Sequence, residues 1–164
     1  MAENRVVLVT GASSGIGRGI ALRFGSRGMR VGLAARRDRR LKEVASQIEA
    51  SGGKALAFPG DVRDSEFAQR AVDTVVDAWG RIDILVNNAG IGHYAPVEKL
   101  SDESVREQFE VNVFGPFYFT RAVVPHLKRQ KSGQIVNIGS MAGLVGVARG
   151  TAYVATKWAL RGMN

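Results

Sequence analysis

The stretch from Val6 to Gly17 constrains this chain more than any other part of it. It begins with four consecutive apolar residues, Val6-Val7-Leu8-Val9. A strand with one wet face alternates apolar and polar residues. An unbroken apolar run instead marks a strand covered on both faces, as in a parallel sheet. Thr10-Gly11-Ala12-Ser13-Ser14-Gly15-Ile16-Gly17 follows, and a helical pattern over 16–27 comes next, with Ile16, Ile20, Leu22 and Phe24 as its apolar set. Glycines let a backbone turn tightly and approach a phosphate with no Cβ in the way. The helix start then offers unpaired N–H groups and the positive end of a dipole. Strand, loop and helix together make a pyrophosphate cradle, with Gly11, Ser13, Ser14, Gly15, Ile16 and Gly17 as candidate residues. The usual G-x-G-x-x-G spacing is absent, because the sixth position counted from Gly15 is Ile20. The strand–loop–helix context therefore carries the reading, and a glycine turn that binds nothing is the plainer alternative.

The same alternation continues. Strands are expected over 29–35, 54–58, 82–86 and 134–138. Helices are expected over 38–51, with Asp38 as N-cap, and over 65–79, ended by Gly80. A longer helical region covers 104–130, with Ser101, Asp102 and Glu103 as start signals and a kink at Gly115-Pro116. Ala152 opens a last helix, expected to be still running at Asn164. Short connections between alternating strands and helices predict an α/β fold, a doubly wound parallel sheet with strand order 3-2-1-4-5, as one domain over 1–164.

Composition excludes several function classes. The chain has no cysteine, so no disulfide framework, thiolate nucleophile or cysteine metal site is available. His93 and His126 stand far apart, which argues against a histidine metal site. No apolar h-region follows the N-terminus, and 111–119, the longest mostly apolar stretch, is too short to span a bilayer. No membrane partner and a cytoplasmic location are expected. The formal net charge is +8; most basic residues are spread among the helices, with one dense cluster at Arg36, Arg37, Arg39 and Arg40 and a looser one at Lys128, Arg129 and Lys131. Without a zinc-finger, helix-turn-helix or aromatic stacking signature, a nucleic-acid partner is not expected.

The arginine cluster bears on the dinucleotide. About twenty residues past the glycines, at the end of the second strand, an acid would bind the ribose 2′-hydroxyl of NAD, whereas arginine suits the 2′-phosphate of NADP. This sequence has Ala35-Arg36-Arg37 there. Arg36, and with it Arg37, points to NADP(H) as cofactor, since a guanidinium offers a planar charged fork to a phosphate. Arg39 and Arg40 read as surface charge.

A second constellation lies near the C-terminus. Ser140 follows the fifth apolar strand, and Tyr153 and Lys157 stand four residues apart on one helix face. Free phenols ionise near pH 10, and a cation one turn away favours the phenolate. Such a tyrosine suits proton transfer to or from a carbonyl oxygen. Ser140 leaves its strand toward the same space and can orient that oxygen.

With these residues in view, the sequence resembles the short-chain dehydrogenase/reductase family. The likeness runs through Thr10–Gly17, Asp61-Val62, Asn87-Asn88-Ala89-Gly90, and Ser140 with Tyr153-Val-Ala-Thr-Lys157 in order, and Asn112 matches the family's catalytic asparagine. The resemblance implies a Rossmann fold and an NADPH-dependent oxidoreductase interconverting a small-molecule carbonyl and a secondary alcohol. Tyr153 would be its general acid and base, and both Tyr153 and Lys157 would also contact the cofactor, Lys157 at the nicotinamide ribose. It implies that Asp61 and Val62 lie beside the adenine, that Asn88, Ala89 and Gly90 line the adenosine and ribose side, and that Asn112 holds a water on the proton path. Asn112 could instead satisfy backbone freed at the kink. The family's last strands and helices, and its substrate-closing loop, have no counterpart here, so the chain reads as incomplete at its C-terminus. A catalytically inactive dinucleotide-binding module is the alternative function. The full-length form is expected to be a homo-oligomer paired through the long helices. His93 and Tyr94 read as surface-loop residues that could face substrate. The apolar stretch 141–150 hints at an apolar substrate.

Overall fold

The computed structural model describes residues 4–164. Five strands, β1 (Val6–Thr10), β2 (Arg30–Ala35), β3 (Lys54–Pro59), β4 (Ile84–Asn87) and β5 (Gln134–Asn137), form one sheet in the order β3-β2-β1-β4-β5. Every pairing is parallel, with Leu8 opposite Gly32 on one side and Leu85 on the other. The expected 3-2-1-4-5 order is the one found. The chain winds outward from β1 to β3 and then returns to place β4 beside β1. That reversal opens a crevice beyond the carboxyl ends of β1 and β4.

The continuous apolar run of β1 serves two cores. Val7 and Val9 pack with Leu41, Val44 and Ile48 beneath α1 (Gly15–Gly25) and α2 (Asp38–Ala50). Val6 and Leu8 pack on the opposite face with Phe67, Val72 and Val75 of α3 (Ser65–Trp79) and Phe119 of α5 (Gly115–Gln130). Phe119 is fully buried and meets Phe67 edge to face, with ring centroids 6.0 Å apart. This is the preferred arrangement of two ring quadrupoles.

Some boundaries differ from expectation, each for a local reason. Asp38 lies inside the first turn of α2 and receives a 2.7 Å bond from Lys42, while Arg37 holds the cap position without its side chain capping the helix. Strand β4 starts at Ile84: the Ile82 N–H goes to the Gln130 side chain, while Asp83 meets Val6 through its own N–H at 2.9 Å and its carboxylate accepts the Val6 N–H at 2.8 Å. The long helical region is α4 (Asp102–Phe109), a π-helical turn (Glu110–Phe114) and α5. The break therefore precedes the expected Gly115-Pro116 kink. Proline has no N–H and clashes with the carbonyl four residues back. Widening the preceding turn, with the Gly115 N–H bonded to the Glu110 carbonyl, lets Pro116 enter α5 in its first turn. The last helix, α6 (Thr151–Gly162), ends before Asn164. Among the described residues, no helix is long and apolar enough to cross a membrane.

Candidate functional site

The loop after β1 turns on Gly11 at φ +65° and Gly15 at φ +54°, left-handed conformations that favour glycine. Gly17 is needed for space. A Cβ there would overlap the Asn88 side-chain amide and stand 2.6 Å from the Gly11 carbonyl oxygen. A Cβ on Gly11 would come within 2.8 Å of Ala89 Cα. The glycine loop and the segment after β4 thus touch backbone to backbone, and α1 begins against them.

Thr10, at the end of β1, ties the two together. Its Oγ1 accepts the Asn88 N–H at 3.0 Å and the Ala89 N–H at 3.1 Å, and the Asn88 amide donates to the Thr10 carbonyl at 2.9 Å. Removing a hydroxyl that serves two partly buried donors leaves both unpaired. Thr10→Val is expected to lower stability by about 2 kcal/mol, read as a lower urea midpoint with an unchanged slope.

Beside this junction lies a cavity of about 390 Å³. Gly11, Ser13, Ser14, Ile16, Arg36, Arg37, Asp61, Val62, Asn88, Ala89 and Gly90, all anticipated from sequence, line it together with Ala35, Gly60, Ile91 and Val111. Gly15, which is exposed, and Gly17, which is buried, are not part of that lining. The two arginines behave differently. The Arg37 guanidinium donates to Ser13 Oγ at 2.8 Å and also to Ser14 Oγ, which fastens the glycine loop to the end of β2. Arg36 is exposed and makes no ion pair among the described residues. Asp61 receives three bonds from Arg63: the backbone N–H at 3.0 Å, Nε at 3.0 Å and Nη2 at 2.7 Å. Burial pushes the Asp61 carboxyl up, but the Arg63 hydrogen bonds and charge, with that of Arg36, outweigh it and hold it below the usual range. Val62 packs against the start of α5, where a Cβ on Gly115 would lie 3.1 Å from its side chain.

Of the four candidates for chemistry, Asn112 and Lys157 converge on Gly90 at the edge of this cavity, and Tyr153 stands next to Lys157. Lys157 is buried on α6, its Nζ 5.7 Å from the centre of the Tyr153 ring and 3.0 Å from the Ile138 carbonyl. Burial lowers its pKa. A Cβ on Gly90 would stand 3.8 Å from Lys157 Nζ and 3.3 Å from Asn112 Oδ1, so loop, π-turn and α6 converge there. Asn112 is buried, and its side chain is committed. Oδ1 accepts the Ile91 N–H at 2.9 Å, and Nδ2 donates to the Ile91 carbonyl and to Thr156 Oγ1. Its side chain therefore satisfies loop backbone rather than the backbone of its own helix. Ser140 follows β5 and caps a short turn (Met141–Gly143), its Oγ accepting the Ala142 N–H at 3.1 Å. The hydroxyl proton faces no such constraint and stays available to an oxygen acceptor.

Three supporting residues escaped sequence reasoning. Thr10 carries the junction above. Thr156 joins Asn112 to the Tyr153 carbonyl, which its hydroxyl reaches at 2.7 Å. Gln108, fully buried, accepts the His93 N–H at 3.1 Å. Gln108 is the one buried residue of α4, and nothing in the polar pattern around it marked it out. Tyr94 packs on Tyr153, with centroids 5.5 Å apart, and burial and the Tyr153 phenol together raise its pKa.

Comparison with known proteins places this geometry in context. A family model described as short chain dehydrogenase matches residues 5–164. An uncharacterized oxidoreductase of Thermotoga maritima is 41% identical over 162 residues, covering 99% of this chain and 64% of the relative. An uncharacterized oxidoreductase of Listeria monocytogenes is 36% identical over 159 residues, covering 97% and 64%. The chain thus spans 64% of the length of both relatives. Among solved structures, a metagenomic short-chain oxidoreductase in complex with NADP superposes with a TM-score of 0.94 at 39% identity, covering 99% of this chain and 75% of that one. An NAD+-bound xylitol dehydrogenase gives a TM-score of 0.95 at 34% identity, covering 98% and 62%.

Proposed function

Because this chain belongs to the short-chain dehydrogenase family, we propose that it is an NADPH-dependent oxidoreductase interconverting a carbonyl and a secondary alcohol, with Tyr153 as general acid and base. One observation carries this reading: the buried Lys157 ammonium stands 5.7 Å from the centre of the Tyr153 ring, where the cavity below the glycine loop ends.

The residues present fit the dinucleotide. Gly11 and Gly17 let the loop close on Asn88 and Ala89 beside the cavity, and Arg36 lines that cavity without an ion pair among the described residues. Gly11, Ser13, Ser14, Gly15, Ile16 and Gly17 would hold the pyrophosphate, Arg36 the 2′-phosphate, Asp61 and Val62 the adenine, and Asn88, Ala89 and Gly90 the adenosine ribose. Arg37 shapes the loop through Ser13 and Ser14 and adds positive charge beside Arg36. When bound, NADPH supplies the hydride.

The chain's own residues handle the proton. Tyr153 Oη gives its proton to the carbonyl oxygen in reduction and takes one back in oxidation. The Lys157 charge favours the negative oxygen left on Tyr153, and the Ile138 carbonyl holds that ammonium in place. Lys157 would also bond the nicotinamide ribose. The Ser140 hydroxyl donates to the substrate oxygen and fixes its direction. The Asn112 side chain locks the Ile91 loop to α6 through Thr156. Its carbonyl, four residues before Pro116, loses the N–H that a regular helix would offer, which supports a role in holding a water on the proton path. A second copy is the proposed partner at α5, where Phe114 and Phe117 are exposed beside Tyr118 and Arg121.

Fluorescence titration with NADPH, followed by a reductase assay on ketones and aldehydes, tests the proposal. Binding with turnover supports it. Binding without turnover by the 164-residue chain favours a dinucleotide-binding module without catalysis. Arg36→Asp is expected to move the NADPH-over-NADH preference at least tenfold toward NADH, about 1.4 kcal/mol. An unchanged preference would remove Arg36 from the 2′-phosphate site.

A further inference from the structure

We propose that Tyr94 is a substrate-selecting residue, whose ring forms the wall of the carbonyl site beside Tyr153 and favours substrates with a flat apolar group next to the carbonyl. This assignment rests on the proposed role of Tyr153 and adds the substrate class to it.

Tyr94 lies on the loop after β4, yet it is held firmly. Its ring is 5.5 Å from that of Tyr153, centre to centre, at an interplanar angle of 48°. A Cβ on Gly92 would stand 3.2 Å from the Tyr94 ring and 3.1 Å from the Tyr153 ring. Gly150, just before α6, backs the ring from the other direction, where a Cβ would lie 3.3 Å from it. Two glycines therefore make room for one aromatic pair. Backbone bonds fix the loop on either side of Tyr94: the His93 N–H to Gln108, and the Ala95 N–H to the Arg149 carbonyl at 2.9 Å. Arg149 makes that second bond while holding φ +63°, a backbone conformation side chains rarely adopt.

A ring fastened on so many sides could simply fill space, but 55% of Tyr94 remains exposed. One side of the ring rests against the turn closed by the Gly150 N–H on the Val147 carbonyl. That turn belongs to a segment in which Leu144, Val145 and Val147 are all exposed as well. Exposed apolar side chains on the segment that leads into the helix of Tyr153 suit an apolar ligand, and a pre-positioned ring adds a preference for a flat one. Arg149 is the only charged residue between Ser140 and Tyr153, so little in this segment would solvate a charged substrate.

The test compares an aryl methyl ketone with an alkyl methyl ketone of similar size. In the enzyme with NADPH, Tyr94→Ala is expected to lower the aryl-over-alkyl ratio of kcat/KM about fivefold to tenfold, and Tyr94→Phe to keep it within twofold. The same pair is titrated against Tyr153→Phe protein with and without Tyr94→Ala, which reads binding independently of turnover. There, aryl affinity is expected to fall about fivefold or more while alkyl affinity holds. Equal losses for both ketones, or no aryl preference to lose, overturn the role of Tyr94. If Tyr153→Phe still turns substrate over, the role of Tyr153 fails instead, while the binding ratio still decides that of Tyr94.

Discussion

Tyr153→Phe is expected to lower kcat for carbonyl reduction by about a thousandfold or more, with NADPH affinity within about twofold of the parent. The substitution removes one oxygen and keeps the ring. The tilted ring contact with Tyr94 and the close approach of Gly92 depend on ring carbons, so they survive the change. The Thr156 bond goes to the Tyr153 carbonyl and is also untouched. What disappears is the proton that reaches the substrate oxygen, and with it the negative oxygen that Lys157 favours. General acid–base groups contribute roughly 10²–10⁴-fold, and the larger figures belong to sites where no water can substitute. A matched pair of measurements decides the matter: single-turnover NADPH oxidation at saturating ketone, and NADPH fluorescence titration without ketone. Turnover above a tenth of the parent's would remove Tyr153 from the proton path. Loss of NADPH binding would instead make it a structural support of the cofactor site.

Gly17→Ala is expected to lower stability by about 3 kcal/mol and NADPH affinity more than tenfold. The added methyl group has no free space. It would overlap the Asn88 amide and press on the Gly11 carbonyl, and that amide also bonds the Thr10 carbonyl. A flexible side chain could swing aside, but backbone cannot, so helix α1 must shift away from the glycine loop. That shift displaces the helix start from the pyrophosphate position, which is why stability and affinity should fall together. Gly19→Ala is the control. It lies in the same helix, is exposed, and a Cβ there meets nothing within 4 Å. It is expected to stabilise by up to about 1 kcal/mol, the ordinary gain from replacing glycine in a helix. If both variants melt alike, close packing at Gly17 does not matter.

Much of this structure was legible in the chain because its signals are local. Helix α3 spans Ser65–Trp79 as its period predicts, and Gly80 ends it at φ +74°. The unbroken apolar run of β1 predicted cover on both faces, and alternate residues of that run feed two separate cores. Where the reading missed, a distant partner had altered a local preference. Asp83 still bonds Val6 through its N–H and its carboxylate, but the Ile82 N–H before it is taken by the Gln130 side chain at the end of α5, so β4 begins only at Ile84. Proline at 116 signalled a break, but the chain met it with a π-turn five residues long before it, and that turn carries Asn112. Arg36 and Arg37 look equivalent as neighbours. Only the position of the glycine loop commits Arg37 to Ser13 and Ser14 and leaves Arg36 facing the cavity.

By itself, then, the sequence determined the parallel α/β fold, the glycine cradle at the start of α1, and the shared helix face of Tyr153 and Lys157, because each follows from spacing within a few residues. Tertiary structure alone decided that Lys157 meets the Ile138 carbonyl, that the Gly90 loop closes on Asn112, and that Tyr94 lies against Tyr153. Those contacts join segments distant in the chain. They exist only because β4 and β5 lie side by side in the sheet and direct the segments that follow them toward α6.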